Sequence, residues 1–216
     1  GSGRAGRGGG GVTPGSRVTH PIELRSYEIL RARLDGTSLD TARLPPLTRA
    51  VVERVVHATA DIDYVADLVC DETALGAAVA AIAAHAPVVT DVRMTAAGIT
   101  TRNVVCRLGD VDPVAAARDG LTRSAAAVGL ALDEVGPGAV WVIGCAPTAL
   151  ERLLTLADLA RPALVIGLPV GFVGAVEAKE ALRAAGLPAV SNRSEKGGAA
   201  VAAAAVNALL YEGLNP

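Results

Sequence analysis

The sequence predicts an α/β fold of three layers, α/β/α, with a mostly parallel central sheet flanked by helices on both faces. Three observations carry this expectation. Short β-branched runs alternate with helical stretches through the second half of the chain. Those runs are apolar at almost every position, as strands covered on both faces are. No hairpin signal joins any two of them, so crossover helices must return the chain.

The elements follow in order. Residues 1–19 are glycine-rich with no apolar core, and they read as a disordered tail and not a secretory signal. The folded domain then runs over 20–216 and opens at His20-Pro21. Helical spacing over 22–34 offers Ile22, Tyr27, Ile29, Leu30 and Leu34 for one face. A loop over 35–47 leads to a second helix over 48–58, with Thr48 as its cap. Asp61 is placed to cap a short helix, and Asp71 to cap another over 72–85. Strands are expected at 87–92, 139–144, 163–167 and 188–192. Helices are expected at 112–118, 122–132, 147–159, 173–185 and 198–211.

Composition narrows the function. Half of the 216 residues are apolar, enough for one well-filled domain. The net charge is −2 and aromatics make up 2%, so neither the cationic surface nor the stacking platforms of a nucleic-acid binder are present. The alanine-rich run 74–89 is broken by His85 and Pro87 and is too weakly apolar to span a bilayer, so no membrane partner is expected. Cys70, Cys106 and Cys145 lie far apart, without the spacing of a disulfide framework or a metal set. They read as thiols of a cytoplasmic protein, and no metal site is expected.

Three strand-to-helix turns carry the chemistry: IGCAPTAL at 143–150, IGLPVGFVGA at 166–175 and VSNRSEKGGAA at 190–200. In a parallel sheet they emerge at one edge, where open α/β folds bind ligands. Free N–H groups at helix starts make each a candidate anion seat. A nucleotide is one reading, and Asn192 and Arg193 are placed for a 2′-phosphate. Yet Gly167, Gly171 and Gly174 are spaced G-x-x-x-G-x-x-G, not as the dinucleotide fingerprint, and they lie near the end of the chain.

Of three histidines, His20 starts the fold and His85 ends an alanine helix. His57 differs. It closes an amphipathic helix three residues after Arg54, and Thr59, Asp61 and Asp63 follow as polar partners. A helix C-terminus and nearby carboxylates favour imidazolium, so His57 is the candidate general acid.

Six segments together resemble the precorrin-8X methylmutase family: RVVHATADIDY at 54–64, VTDVRMTAAGI at 89–99, TRSAAA at 122–127, IGCAPTAL at 143–150, IGLPVGFVGAVEAKEAL at 166–182 and EKGGAAVAAAAVNALL at 195–210. The resemblance runs from His20 to Tyr211. It implies an isomerase of corrin-ring (vitamin B12) biosynthesis that moves a methyl group within ring C, converting precorrin-8X to hydrogenobyrinate or cobalt-precorrin-8 to cobyrinate. It implies no dissociable cofactor, and a homodimer with the corrinoid held near the interface. The family's catalytic histidine falls on His57. Substrate contacts are expected at Ser26, Arg54, Thr59, Thr90, Arg123, Thr148, Gly171, Lys196, Gly197 and Gly198. Two segments depart from the family's pattern. Cys145 stands where asparagine is usual, and the last turn carries Glu195 and Ala199, where the family is richer in arginine and serine.

These residue types suit a flat, apolar macrocycle fringed with carboxylates. Apolar walls bury the ring, while Arg54, Arg123, Lys196 and the helix starts supply donors to the arms. The glycine turns then read as carboxylate seats. Two rival readings are an NADP-dependent oxidoreductase on the Gly171–Gly174 turn and a non-catalytic tetrapyrrole carrier that has no need of His57.

Overall fold

The computed structural model describes residues 20–100 and 103–214, so the expected 1–19 tail lies outside the described residues. In chain order the elements are α1 (Pro21–Leu34), α2 (Pro46–Thr59), α3 (Tyr64–Asp67), β1 (Leu68–Cys70), α4 (Glu72–Ala83), β2 (Val88–Thr90), α5 (Arg93–Ala97), α6 (Pro113–Arg118), α7 (Arg123–Val135), β3 (Val140–Ile143), α8 (Pro147–Thr155), α9 (Ala157–Ala160), β4 (Leu164–Gly167), α10 (Ala175–Ala184), β5 (Ala189–Asn192) and α11 (Ala199–Leu214). Single 3-10 turns lie at Thr41–Arg43 and Leu108–Asp110.

The sheet has the order β1-β5-β4-β3-β2. Strands β2 to β5 are parallel and neighbours in space in their chain order. Each step across the sheet therefore runs the same way, and right-handed crossovers put the intervening helices on one face. Helices α7, α8 and α10 form that layer. Helices α2, α4 and α11 form the other, which gives the expected three-layer α/β/α arrangement. The two-residue period of the strands divides the core. Val140, Val142, Leu164 and Ile166 face α2, α4 and α11, while Trp141, Ile143 and Val165 face α7, α8 and α10. All seven side chains are fully buried, which is why these strands read as continuous apolar runs.

The antiparallel edge strand β1 was not visible in the sequence. It is three residues long, half-buried, and pairs Leu68 with Asn192 and Cys70 with Val190. A run that short, fused to the end of α3, carries no period of its own. The five-residue helix α5 was equally hidden, since little more than one helical turn carries no readable period.

Two expectations are corrected. The buried face of α1 holds Glu23, Leu30 and Leu34, whereas Ile22 is 73% exposed and Ile29 41%. Helix α2 starts at Pro46, and Thr48 does not cap it. The Glu72 carboxylate at the start of α4 reaches across and accepts from Leu47 N, Thr48 N and Thr48 Oγ1 at 2.8–2.9 Å. A carboxylate satisfies the first-turn donors better than a hydroxyl, and it aligns α2 against α4 as it does so. Asp71 does cap α4, accepting from Ala74 N.

Candidate active site

The sheet's topology delivers four turns to one edge, after β2, β3, β4 and β5. Helix α2 packs along α11, and its C-terminal end carries His57. Ser26 Oγ lies 2.7 Å from His57 Nδ1. The Tyr27 ring stacks on the imidazole, with centroids 5.1 Å apart and planes inclined by 24°. Arg54, one helical turn before His57, crosses the Tyr27 ring at 5.5 Å and the Tyr211 ring at 4.8 Å, and it pairs with Glu23 at 2.6 Å. The shared face of Arg54 and His57 is thus real, and Tyr27 is the surface they share. The expected partners Thr59, Asp61 and Asp63 are turned elsewhere. Thr59 Oγ1 donates to Val55 O, and both aspartates hold Lys196.

Ser26 gives His57 a partner in either charge state. A hydroxyl donates to a bare Nδ1 and accepts from a protonated one by rotating its own hydrogen. Next to it, the Tyr27 and Arg54 side chains line a depression of about 490 Å³. Ser26 borders a second depression of about 460 Å³ with Ile22 and Ile29. The floor of the first is an ion network. Glu53 is 3% exposed and accepts from Arg31, Arg49 and Thr41. Burial alone would raise its carboxyl, but those bonds outweigh it and hold the group below its usual range.

The turns are less open than their sequences imply. After β3, the buried Asp91 carboxylate accepts from the N–H groups of Gly144, Cys145 and Ala146 at 2.8–3.0 Å. The anion seated there is the protein's own. After β5, Asp67 accepts from Arg193 N, Ser194 N and Ser194 Oγ at 2.7–2.9 Å. Its charge is stabilised by these bonds and by Asn192 Nδ2, so its carboxyl stays below the ordinary range although burial pushes it up. Gly171 N donates to Glu195 O and Gly198 N to Leu168 O, which laces the second and third turns together. Gly197 has φ +156°, and a Cβ there would lie 2.3 Å from Leu168 O, so only glycine fits.

Lys179 on α10 was not singled out in the sequence, yet it is fully buried beneath this turn. Its Nζ donates to Asn192 Oδ1, Ser194 O and Lys196 O at 2.5–2.8 Å. Burial lowers its pKa to about 8. Nothing in the run AVEAKEAL separates this lysine from a solvated helix residue, because a two-residue shift on α10 decides which side faces the sheet.

The remaining candidates fall into place as follows. Arg123, exposed at the start of α7, donates to Leu108 O at 3.3 Å. Its neighbour Thr122 meets Thr148 Oγ1 at 2.8 Å, which brings α7 and α8 to the same edge. Thr90 is buried, and its hydroxyl has no hydrogen-bond partner among the described residues. Lys196 is bound to Asp61 at 2.7 Å and Asp63 at 3.0 Å, which raises its pKa and ties the last turn to the loop after His57. It is therefore a paired cation, as Arg54 is. Cys145 is half-buried. Burial and the Asp91 charge raise its thiol, while the Ala199 N–H and the Thr95 hydroxyl bond to the sulfur. Among the described residues no group of histidine, cysteine and carboxylate side chains is placed to hold a metal ion, and no helix is long and apolar enough to cross a membrane.

Comparison with known proteins fits this geometry. A model of the precorrin-8X methylmutase family matches residues 21–212. The precorrin-8X methylmutase of Pseudomonas aeruginosa is 44% identical over 202 residues, covering 88% of this chain and 94% of that protein. The cobalt-precorrin-8 methylmutase of Salmonella typhimurium is 40% identical over 198 residues, covering 88% and 93%. The solved structure of precorrin-8x methyl mutase from Thermus thermophilus superposes with a TM-score of 0.79 at 35% identity, over 90% of this chain and 96% of that one.

Proposed function

The chain belongs to the precorrin-8X methylmutase family, isomerases of cobalamin biosynthesis, and from that premise we propose its reaction and its acid. The reaction moves a methyl group between adjacent carbons of ring C, giving hydrogenobyrinate from precorrin-8X or cobyrinate from cobalt-precorrin-8. His57 supplies the proton. The observation that supports this most directly is the 2.7 Å contact of Ser26 Oγ with His57 Nδ1 beneath the stacked Tyr27 ring.

The chemistry follows from that contact. Ser26 engages Nδ1, so the proton to be transferred is the one on Nε2. Protonating a ring nitrogen of the macrocycle draws electrons from the conjugated system and eases migration of the methyl group. When the shift is complete the same proton returns to His57, and atoms and charge balance with no redox partner. Ser26 Oγ accepts from Nδ1–H both before and after the Nε2 proton leaves, which fixes the tautomer and the aim of the ring throughout the cycle. Such acid catalysis contributes on the order of 10²–10⁴ in rate, and orientation of the ring must supply the rest.

Arg123 at the rim, which unlike Arg54 and Lys196 forms no ion pair among the described residues, is the donor for a carboxylate arm, as an arginine binds a carboxylate bidentately. Arg54 and Lys196 act through charges they share with Glu23, Asp61 and Asp63, and Thr90, Thr148 and the glycine turn complete the wall. A second copy of the chain completes the site in this reading. Ile22 and Ile29 border Ser26 on an exposed apolar face that suits such a partner. Three unpaired thiols suit a cytoplasmic enzyme. A methyl shift within one ring system transfers no hydride, so this reading has no use for a nicotinamide cofactor on the Gly171–Gly174 turn.

The test is His57→Ala with His57→Gln beside it, supplied with excess precorrin-8X and followed by absorption. Turnover should drop by about 10²–10⁴ while product still binds within a few-fold of the wild-type affinity. A folded variant that turns over at the wild-type rate would falsify the assignment. A wild-type protein that shifts the spectrum only in proportion to its own concentration would be a carrier.

A further inference from the structure

Lys179 has no place in the chemistry just described, and its environment is unusual for a lysine. It is fully buried on α10 and forms no direct ion pair among the described residues. All three of its hydrogens go to neutral oxygens, and all three oxygens belong to residues 192, 194 and 196. Methionine would fill the same volume without the cost of burying an ammonium. What lysine adds is three directed donors converging on one turn.

That turn is gripped from three sides. Lys179 holds its carbonyl groups from α10. Asp67, at the end of α3, holds its N–H groups. The segment 168–171 holds it through Gly198 N and Gly171 N. Asn192 joins the first two grips: its Oδ1 accepts from Lys179, while its Nδ2 donates to Asp67 Oδ2 at 2.8 Å and to Lys196 O at 2.9 Å. From the outer side of the turn, Lys196 reaches Asp61, four residues beyond His57.

We propose that Lys179 is a positioning residue for the methyl shift: its ammonium fixes the 193–198 turn, which presents Lys196 and Gly197 to a carboxylate arm of the macrocycle. This rests on the reading of that turn as a substrate contact. It makes Lys179 a determinant of how tightly the ring is held and leaves the proton transfer to His57.

The experiment compares Lys179→Met and Lys179→Gln with His57→Ala in one assay, measuring kcat, KM and product affinity by absorption titration. Lys179→Met should raise KM and weaken product binding tenfold or more with kcat within threefold. Lys179→Gln, which keeps two of the donors, should fall between it and the wild type. Hydrogen exchange at the amides of Arg193, Ser194 and Gly198 should quicken in the same order. His57→Ala should show the opposite split, with kcat lost and affinity kept. Unchanged KM and product affinity in a folded Lys179 variant would overturn this proposal alone. Full activity in His57→Ala would overturn the acid and leave the Lys179 comparison readable. If neither Lys179 variant folds, the lysine is a folding element and the proposal also fails.

Discussion

The turns after β4 and β5 leave the same edge of the sheet with similar glycine-rich sequences, yet their physical characters are opposite. The β5 turn is fixed by a carboxylate, an amide and an ammonium, each buried or half-buried and each spending several hydrogen bonds on it. The β4 turn instead turns its side chains outward. Phe172 is 93% exposed and Val173 87%, and Gly174 starts α10 without a side-chain cap. Glycine content therefore does not tell a turn held by buried polar groups from one whose apolar side chains face outward. What tells them apart is whether distant elements send polar groups into the turn. The same distinction explains the β3 turn, where Asp91 already occupies the N–H groups that an outside anion would need.

The sharpest way to break the comparison is to remove the carboxylate from the rigid turn. Asp67→Ala strips four bonds from residues 192–194 and should cost about 3 kcal/mol, roughly 6–12 °C in Tm for a chain of this size. Calorimetry of the variant checks this, and a loss under 2 °C would mean that the turn holds itself. Gly197→Ala should come next, at about 2 kcal/mol, because its Cβ would collide with backbone carbonyls that cannot rotate away.

Acid provides a gentler probe of the same site. The Asp67 carboxyl is depressed in the folded chain. Its contribution is therefore complete above the ordinary aspartate range and is lost as pH falls through its folded value. Denaturant midpoints measured from pH 6 down to 3 should decline in the wild type, and Asp67→Asn should lack part of that slope. The smallest effect belongs to the β4 turn. Phe172→Ser should change stability by less than about 0.5 kcal/mol, since its ring buries nothing within the chain. A larger change in the melting temperature of the isolated chain would show that the two turns are not so different after all.

Much of this was legible before any coordinates. The four parallel strands, the cap at Asp71 and the alternation of layers follow from local period and side-chain type. His57 stood out because it closes an amphipathic helix beside Arg54. Ser26, Arg123 and the glycine turns entered through their motifs. Their partners did not: Tyr27 was counted as a core residue, and Asp67 and Lys179 were passed over. Each lies far along the chain from what it touches, as Asp67 does from Ser194 and Ser26 from His57.

The sequence by itself determined the class of the fold, the direction of its four parallel strands and the family, because periodicity and motif are properties of neighbouring residues. Only the tertiary structure decided which turns are already filled, that Arg54 and Lys196 are paired, and that an edge strand runs backwards. The physical reason is that a buried charge or an unsatisfied N–H takes whatever complementary group the packing brings within 3 Å. A one-dimensional string does not record which group that will be.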